Sequence, residues 1–338
     1  MNVSLEKLKR YIDEAKRIVI VGHYNPDGDA VGASMGLYNL IANLKEKVQV
    51  VMPNPFPDNL KWMDKEEHIQ NYQAHKTEVE LAIQEADLLF CMDFQAMNRT
   101  EKLEEFLQAS QAKKILIDHH IEPKEAEFDL CFSDTQVSST CEICYRIVHT
   151  IYPQFINKDA ASCFYAGICT DTGSFSFSCR HAALFRAVAE LIDFGIDPVA
   201  IHRNIFDTFS EQRLRLLGYC LSERLVVLPA LNTAYIYLNK KELQNYNYQA
   251  GDTEGIVNYA LSMANVYFAA FFTERENRIR ISLRSKGDID VNIFARENFN
   301  GGGHKNAAGG NSYESLEDTL LRFNALLPAF HAGFKSKR

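Results

Sequence analysis

Four short apolar runs, alternating with helical stretches, constrain this chain more than any other feature. RIVIVG (17–22), VQVVM (48–52), ADLLFCM (86–92) and KKILI (113–117) are predominantly apolar, and none alternates strictly with polar residues. That is the pattern of strands buried on both faces. MNVSLEKLKRYIDEAK (1–16) and AVGASMGLYNLIANLK (30–45) have helical periodicity around them. Strands alternating with helices predict an α/β domain with a doubly wound parallel sheet. In such sheets ligands bind beyond the carboxyl ends of the strands. His23, Asp93 and Asp118 each stand immediately after one of these runs. Carboxylates and imidazoles are poor packing material there but good ligands for divalent ions.

At 338 residues the chain predicts two domains. Helical patterns continue over 138–152, 158–170, 180–194 and 197–222. From residue 224 the pattern changes: RLVVLP, TAYIYL, VYFAAFFTE and RIRISLRS read as strands, with helices near 253–263, 289–298 and 314–327. The expected organisation is a first domain over 1–190, a helical linker with a hinge over 191–215, and a smaller mixed α/β domain over 216–338. The aromatic run VYFAAFF fits either a core strand or a homodimer interface.

A net charge of −8 argues against coating long nucleic acid, which usually takes a basic face. It leaves room for a small phosphate-bearing substrate held by local cations. No run approaches the roughly 18–20 apolar residues of a membrane span. The charged N-terminus has no signal-peptide core, so a cytoplasmic protein is expected. The eight cysteines show no disulfide framework, which fits a reducing compartment. Cys141-x2-Cys144 has half of a zinc spacing, but its helical surroundings read as buried thiols.

Hydrolysis of a phosphoester needs an activated water and neutralised phosphoryl charge, and two divalent ions roughly 3.5–4 Å apart supply both. His23-x3-Asp27-x-Asp29 places three donors on one turn, and its two carboxylates, separated by Gly28, can address different ions. Asp93, alone at a strand tip, is the natural bridge. His119 and Asp171 can complete the second ion. Singly, an Asp-Gly-Asp is an ordinary turn, a His pair is ordinary core or surface, and Asp171 can be a capping residue. Together, with three motifs behind apolar strands, they read as a two-metal site.

GHYNPDGDAVGAS, the strand leading to Asp93, LIDHH and CTDTGSF resemble the successive motifs of the DHH phosphoesterase family. The resemblance implies that His23, Asp27 and Asp93 hold one ion, and that Asp29, Asp93, His119 and Asp171 hold the other. Asp118 would orient a histidine, and His120 would face the substrate phosphate as a hydrogen-bond donor or proton source. Asp93, Asp118 and His120 are therefore the expected catalytic residues. The family typically uses manganese, which the mixed Asp/His set also favours over magnesium. Arg99, in the loop after Asp93, reads equally as a phosphate contact and as a solvated arginine at a helix start.

In NRIRISLRSK, Arg278, Arg280, Ser282, Arg284 and Lys286 alternate with apolar residues or Ser285. Period two puts the cations and a hydroxyl on one face. Gly301-Gly302-Gly303-His304 and then Ala307-Ala308-Gly309-Gly310 follow. Such glycines permit close backbone approach, and free amides in series form an anion nest. SLRS and GGGHKNAAGG resemble the DHH-associated C-terminal domain. That resemblance implies that Arg284, Ser282, Gly302, Gly303 and His304 bind substrate, with the active site in the cleft between the domains.

Two minimal domains without a long basic extension resemble the nano-RNase and 3′-phosphoadenosine 5′-phosphate phosphatase branch. The expected activity is release of mononucleotides from very short RNA or DNA oligonucleotides, with two manganese ions. A cyclic-dinucleotide (c-di-AMP) or linear dinucleotide phosphodiesterase would use the same ligands. An inorganic pyrophosphatase would not need the glycine-rich domain. A non-catalytic nucleotide sensor would show a missing ligand, and none is missing.

Overall fold

The computed structural model describes residues 3–249 and 251–335. The chain forms two compact units, 1–208 and 209–338. Among the described residues no helix is long and apolar enough to cross a membrane.

The first unit is built on strands β1 (Ile18–Val21), β2 (Val48–Met52), β3 (Ile69–Asn71), β4 (Leu88–Met92), β5 (Lys113–Asp118) and β6 (Leu130–Ser133). Its helices are α1 (Val3–Glu14), α2 (Gly28–Ile41), α3 (Lys76–Glu85), α4 (Glu104–Ala109), α5 (Thr140–Ile151), α6 (Lys158–Asp171), α7 (Ala182–Asp193) and α8 (Pro198–Phe206). All six strands are parallel, in the order β3-β2-β1-β4-β5-β6. The predicted doubly wound sheet is present. Ile18, Ile20, Phe90 and Ile117 enter one core, with residues of α2, α5 and α6. Val19, Val21, Val51 and Leu89 enter the other, with residues of α3 and α4. Burial on both faces explains the apolar runs.

The order reverses direction between β1 and β4, which opens a crevice at their carboxyl ends. Val21 pairs with Cys91, so His23 and Asp93 stand level, each two residues further along. The Asp93 amide donates to the Ile117 carbonyl at 3.0 Å, which ties that tip to the end of β5.

β3 and β6 lie at the sheet edges, and the apolar-run criterion does not find them. Their residues are only half-buried, so a short edge strand leaves no continuous run in the sequence. The expected helix over 197–222 is two helices, α8 and α9 (Glu211–Glu223). Asp207 ends the first, and Ser210, whose hydroxyl accepts from the Arg213 amide, caps the second.

The second unit contains α9, β7 (Leu225–Leu228), β8 (Thr233–Leu238), α10 (Lys240–Asn245), α11 (Ile256–Leu261), β9 (Phe268–Glu274), β10 (Ile279–Ser285), α12 (Val291–Asn298), β11 (Gly302–His304), β12 (Ala307–Ser312) and α13 (Leu316–Lys335). Its sheet is mixed, in the order β11-β12-β10-β9-β8-β7, with β8 and β9 parallel and the other pairs antiparallel. Of the VYFAAFF run, Tyr267 is exposed and the rest is core: Val266 is buried, and Phe268–Thr273 are buried in the central strand β9. Cys141 and Cys144 are buried thiols of α5.

Candidate metal centre

His23, Asp27, Asp29, Asp93, Asp118, His119, His120 and Asp171 come together at the carboxyl end of the first unit's sheet. β1, β4 and β5 deliver His23, Asp93 and the Asp118–His120 run at their tips. Asp27 is the N-cap of α2, its carboxylate accepting from the amides of Asp29 and Ala30. Asp29 lies in the first turn of the same helix.

Asp171 arrives by another route, the packing of α6 against α2. Gly28, Gly32 and Gly36 form a four-residue repeat along α2. A Cβ at Gly28 would strike the Thr170 side chain, one at Gly32 the Cys163 carbonyl at 2.6 Å, and one at Gly36 the Phe164 ring. Gly28, at the start of α2, meets Thr170 at the end of α6, and Gly36 meets Phe164 nearer the start of α6, so the helices are antiparallel. The start of α2 therefore meets the end of α6, and Asp29 meets Asp171.

The central observation is how Asp93 divides its two oxygens. Oδ2 lies 3.5 Å from His23 Nε2, which is 3.8 Å from Asp27 Oδ1. Oδ1 lies 3.6 Å from His119 Nε2, which is 3.5 Å from Asp171 Oδ2 and 3.8 Å from Asp29 Oδ2. These separations exceed a hydrogen bond. They suit donors that each stand about 2.1 Å from a shared ion. His23 Nδ1 lies 2.9 Å from the Tyr24 carbonyl; with the proton on Nδ1 donating there, Nε2 is left with a lone pair facing the carboxylates. Asp93 holds φ at +65°, a left-handed conformation that aspartate tolerates and that marks functional tips.

Asp118 Oδ1 lies 2.7 Å from His120 Nδ1. Burial opposes the Asp118 charge, but His120 more than compensates and holds its carboxyl below the usual range. Burial lowers the His120 pKa below that of a free imidazole. Arg99 is exposed in the turn after β4, close enough to His120 to push the same way.

The site is electrostatically loaded without cations. Burial and the neighbouring Asp171 raise the Asp29 pKa; burial and Asp29 raise that of Asp93. Burial opposes an imidazolium at His23, yet Asp27 and Asp93 lift its pKa to about 10. Mostly buried apart from the exposed Asp27 and the part-exposed Asp171, oxygen- and nitrogen-rich, and in acidic excess, the residues fit a pair of divalent ions.

The second unit places its candidates on one sheet. Burial alternates along β10, with Ile279, Ile281 and Leu283 inside and Arg280, Ser282 and Arg284 outside. Registers align Ser282, Gly309 and Gly302 in one row, and Arg284, Ala307 and His304 in the next. Paired residues share a face, so Arg284 and His304 flank small side chains in a shallow trough. The glycine run is not a nest of free amides, as its composition suggests. It is a β-hairpin, and the Gly303 amide donates to Asn292 Oδ1 at 2.9 Å. Glycine and alanine are poor strand formers, which hid the hairpin.

Residues 17–168 match the DHH family N-terminal domain, and residues 232–329 match the DHHA1 domain. The fold superposes on the crystal structure of an exopolyphosphatase-related protein from Bacteroides fragilis with a TM-score of 0.94. The two are 39% identical, over 98% of this chain and 97% of that one. The chain belongs to the DHH family. Among curated DHH relatives, the bifunctional oligoribonuclease and PAP phosphatase NrnA of Bacillus subtilis is 28% identical, over 91% of this chain and 93% of that protein. The cyclic-di-AMP phosphodiesterase GdpP of the same species is 28% identical over 96% of this chain, which spans 50% of GdpP. These DHH relatives act on phosphoester bonds.

The motif reading of this DHH chain misses the start of α5. The Thr140 hydroxyl donates to Asp93 Oδ1 at 2.8 Å, and the amides of Thr140 and Cys141 donate to the two Asp29 oxygens at 2.6 and 2.9 Å. The available signal is Ser139 three residues before Glu142, a helix-start pattern.

Ion binding at this cluster must displace protons. Asp29 and Asp93 hold theirs above the ordinary carboxylate range, and His23 holds its own up to about 10. In the metal-free protein these raised values favour the fold at low pH. The carboxylate contribution is lost as pH rises through their raised pKa values, and that of His23 between about 6.5 and 10. The expected result is a manganese-induced rise in Tm that grows from pH 5.5 to pH 8.5. Calorimetry in buffers of different ionisation enthalpy should show proton release. A pH-independent shift would contradict the proton count.

Proposed function

We propose that this chain is a manganese-dependent phosphoesterase that releases mononucleotides from very short oligonucleotides and dephosphorylates 3′-phosphoadenosine 5′-phosphate. The observation that carries the reading is the division of the Asp93 oxygens between two donor sets. His23, Asp27 and Asp93 would hold one ion; Asp29, Asp93, His119 and Asp171 would hold the other. Bound there, two ions supply charge neutralisation at the phosphoryl oxygens and an acidified water. The likeness to NrnA over nearly the whole of both chains supports the substrate class.

Asp118 fixes the His120 ring by its hydrogen bond and leaves Nε2 to the substrate. Burial lowers the proton affinity of His120 in the free protein, against the opposing pull of Asp118. An arriving phosphate raises its proton affinity, so His120 takes up a proton and donates it toward a phosphoryl or leaving oxygen. Arg99 adds a cation beside His120. In the second unit, Arg284, Ser282 and His304 bind a phosphate or ribose, with Gly302 and Gly303 beside them in β11. A Cβ at Gly303, where φ is +145°, would strike the Ala307 carbonyl at 2.6 Å. Eight free cysteines fit a cytoplasmic setting.

The test is a substrate panel with manganese: di- and trinucleotides, a long RNA, 3′-phosphoadenosine 5′-phosphate and cyclic di-AMP. Dinucleotides and 3′-phosphoadenosine 5′-phosphate are expected to turn over fastest. Equal rates on long and short RNA would remove the short-substrate reading. A preference for cyclic di-AMP would replace it with the phosphodiesterase activity that GdpP is named for.

A further inference from the structure

We infer that Thr140 is a positioning residue for the bridging carboxylate: its hydroxyl sets how Asp93 divides its oxygens between the two donor sets. The inference rests on the two-ion reading above, and concerns a residue outside every motif that pointed to the site.

Ser139 caps α5, its hydroxyl accepting from the Glu142 amide at 3.1 Å. A capped helix still has first-turn amides without intrahelical partners. Here the amides of Thr140 and Cys141 are those donors, and each takes one oxygen of Asp29. Asp29 is thus held by both oxygens from outside its own helix. The Thr140 side chain then reaches the other shared carboxylate, donating to Asp93 Oδ1. One fully buried residue therefore touches two proposed ligands, one by its backbone and one by its hydroxyl.

Asp93 is buried, and its side chain has a freely rotating carboxylate unless a neighbour restrains it. An Oδ1 atom that accepts from Thr140 keeps one further lone pair, on the side of His119, Asp29 and Asp171. That restraint leaves Oδ2 turned to His23 and Asp27. Without the hydroxyl, the contacts left to hold the carboxylate are those to His23, His119 and His120 at 3.5, 3.6 and 3.7 Å, too long for hydrogen bonds to oppose rotation of both oxygens toward a single ion. Loss of the hydroxyl should therefore weaken one binding step far more than the other. A purely structural threonine would weaken neither, or both alike.

The experiment titrates the metal-free full chain with manganese alone, by calorimetry, in wild type, Thr140→Val and Thr140→Ser. Wild type is expected to bind two ions per chain. Thr140→Val keeps the shape and the backbone amide. It should weaken one step by roughly 10–100-fold, the range for loss of a group that orients a metal ligand, and leave the other within a few-fold. Thr140→Ser, which keeps the hydroxyl, should restore it. Unchanged affinities in Thr140→Val overturn the inference. Equal losses in Thr140→Val and Thr140→Ser also overturn it, because a side chain that keeps the hydroxyl would then fail to restore the weakened step. Should Thr140→Val fail to fold, Thr140→Ala carries the same comparison against Thr140→Ser. Absence of ion binding in the wild type would instead overturn the two-ion reading beneath it.

Discussion

Asp93→Ala is expected to lose phosphoester hydrolysis by roughly a thousandfold or more, which corresponds to about 4 kcal/mol of activation barrier. The loss follows from its position: one oxygen lies against His23 and the other against His119, so truncation removes a donor from both sets at once. Metal analysis of the purified variant should find well under two ions per chain. Full activity with two ions retained would end the bridging reading. Asp93→Asn separates function from folding. Asparagine tolerates a φ of +65° and still accepts from Thr140, but carries no charge beside Asp29. The Asp93 pKa is raised, so ionising it costs stability at neutral pH. The metal-free Asn variant should therefore melt above metal-free wild type, while gaining little on addition of manganese. Thermal melts with and without the ion provide the check.

Gly32→Ala is expected to destabilise the first unit by about 2–4 kcal/mol and to weaken ion binding with it. Helix propensity alone argues the other way, since alanine is better than glycine in a helix interior by about 1 kcal/mol. Sterics decide the sign. The new Cβ would lie 2.6 Å from the Cys163 carbonyl oxygen and 3.1 Å from the Gly167 amide nitrogen, both backbone atoms that cannot swing aside. α2 and α6 must separate, and Asp29 and Asp171 ride on those two helices. Gly218→Ala is the control. In α9 none of the described residues lies within 4 Å of its Cβ position, so propensity should win and stability should rise slightly. Denaturant melts of the two variants in opposite directions are the expected result. A neutral Gly32→Ala would show that the helices are not in close contact there.

The site was legible in the sequence where a functional residue ends a buried strand. His23, Asp93 and Asp118 follow apolar runs, because a parallel strand covered on both faces keeps its middle apolar and admits polar residues mainly toward its ends. The Ser282 and Arg284 face was legible for the related reason that burial on one face imposes a period of two. Edge strands β3 and β6 and the glycine hairpin left no such trace. Half-buried or side-chain-poor segments have no periodic burial to record.

What the sequence determined by itself was the donor chemistry, its placement at strand tips and the parallel class of the first sheet. Each is a consequence of burial, which is written locally, residue by residue. The tertiary structure alone decided the strand order that opens the crevice between β1 and β4. It also decided the glycine-lined approach that brings Asp171 to Asp29, and the α5 start that holds Asp29 and Asp93 from a third direction. Those depend on contacts between segments more than a hundred residues apart: Asp29 and Cys141 are separated by 112 residues, and Gly28 and Thr170 by more. No local pattern encodes them, because packing shape and free helix-end amides acquire partners only when the chain has folded.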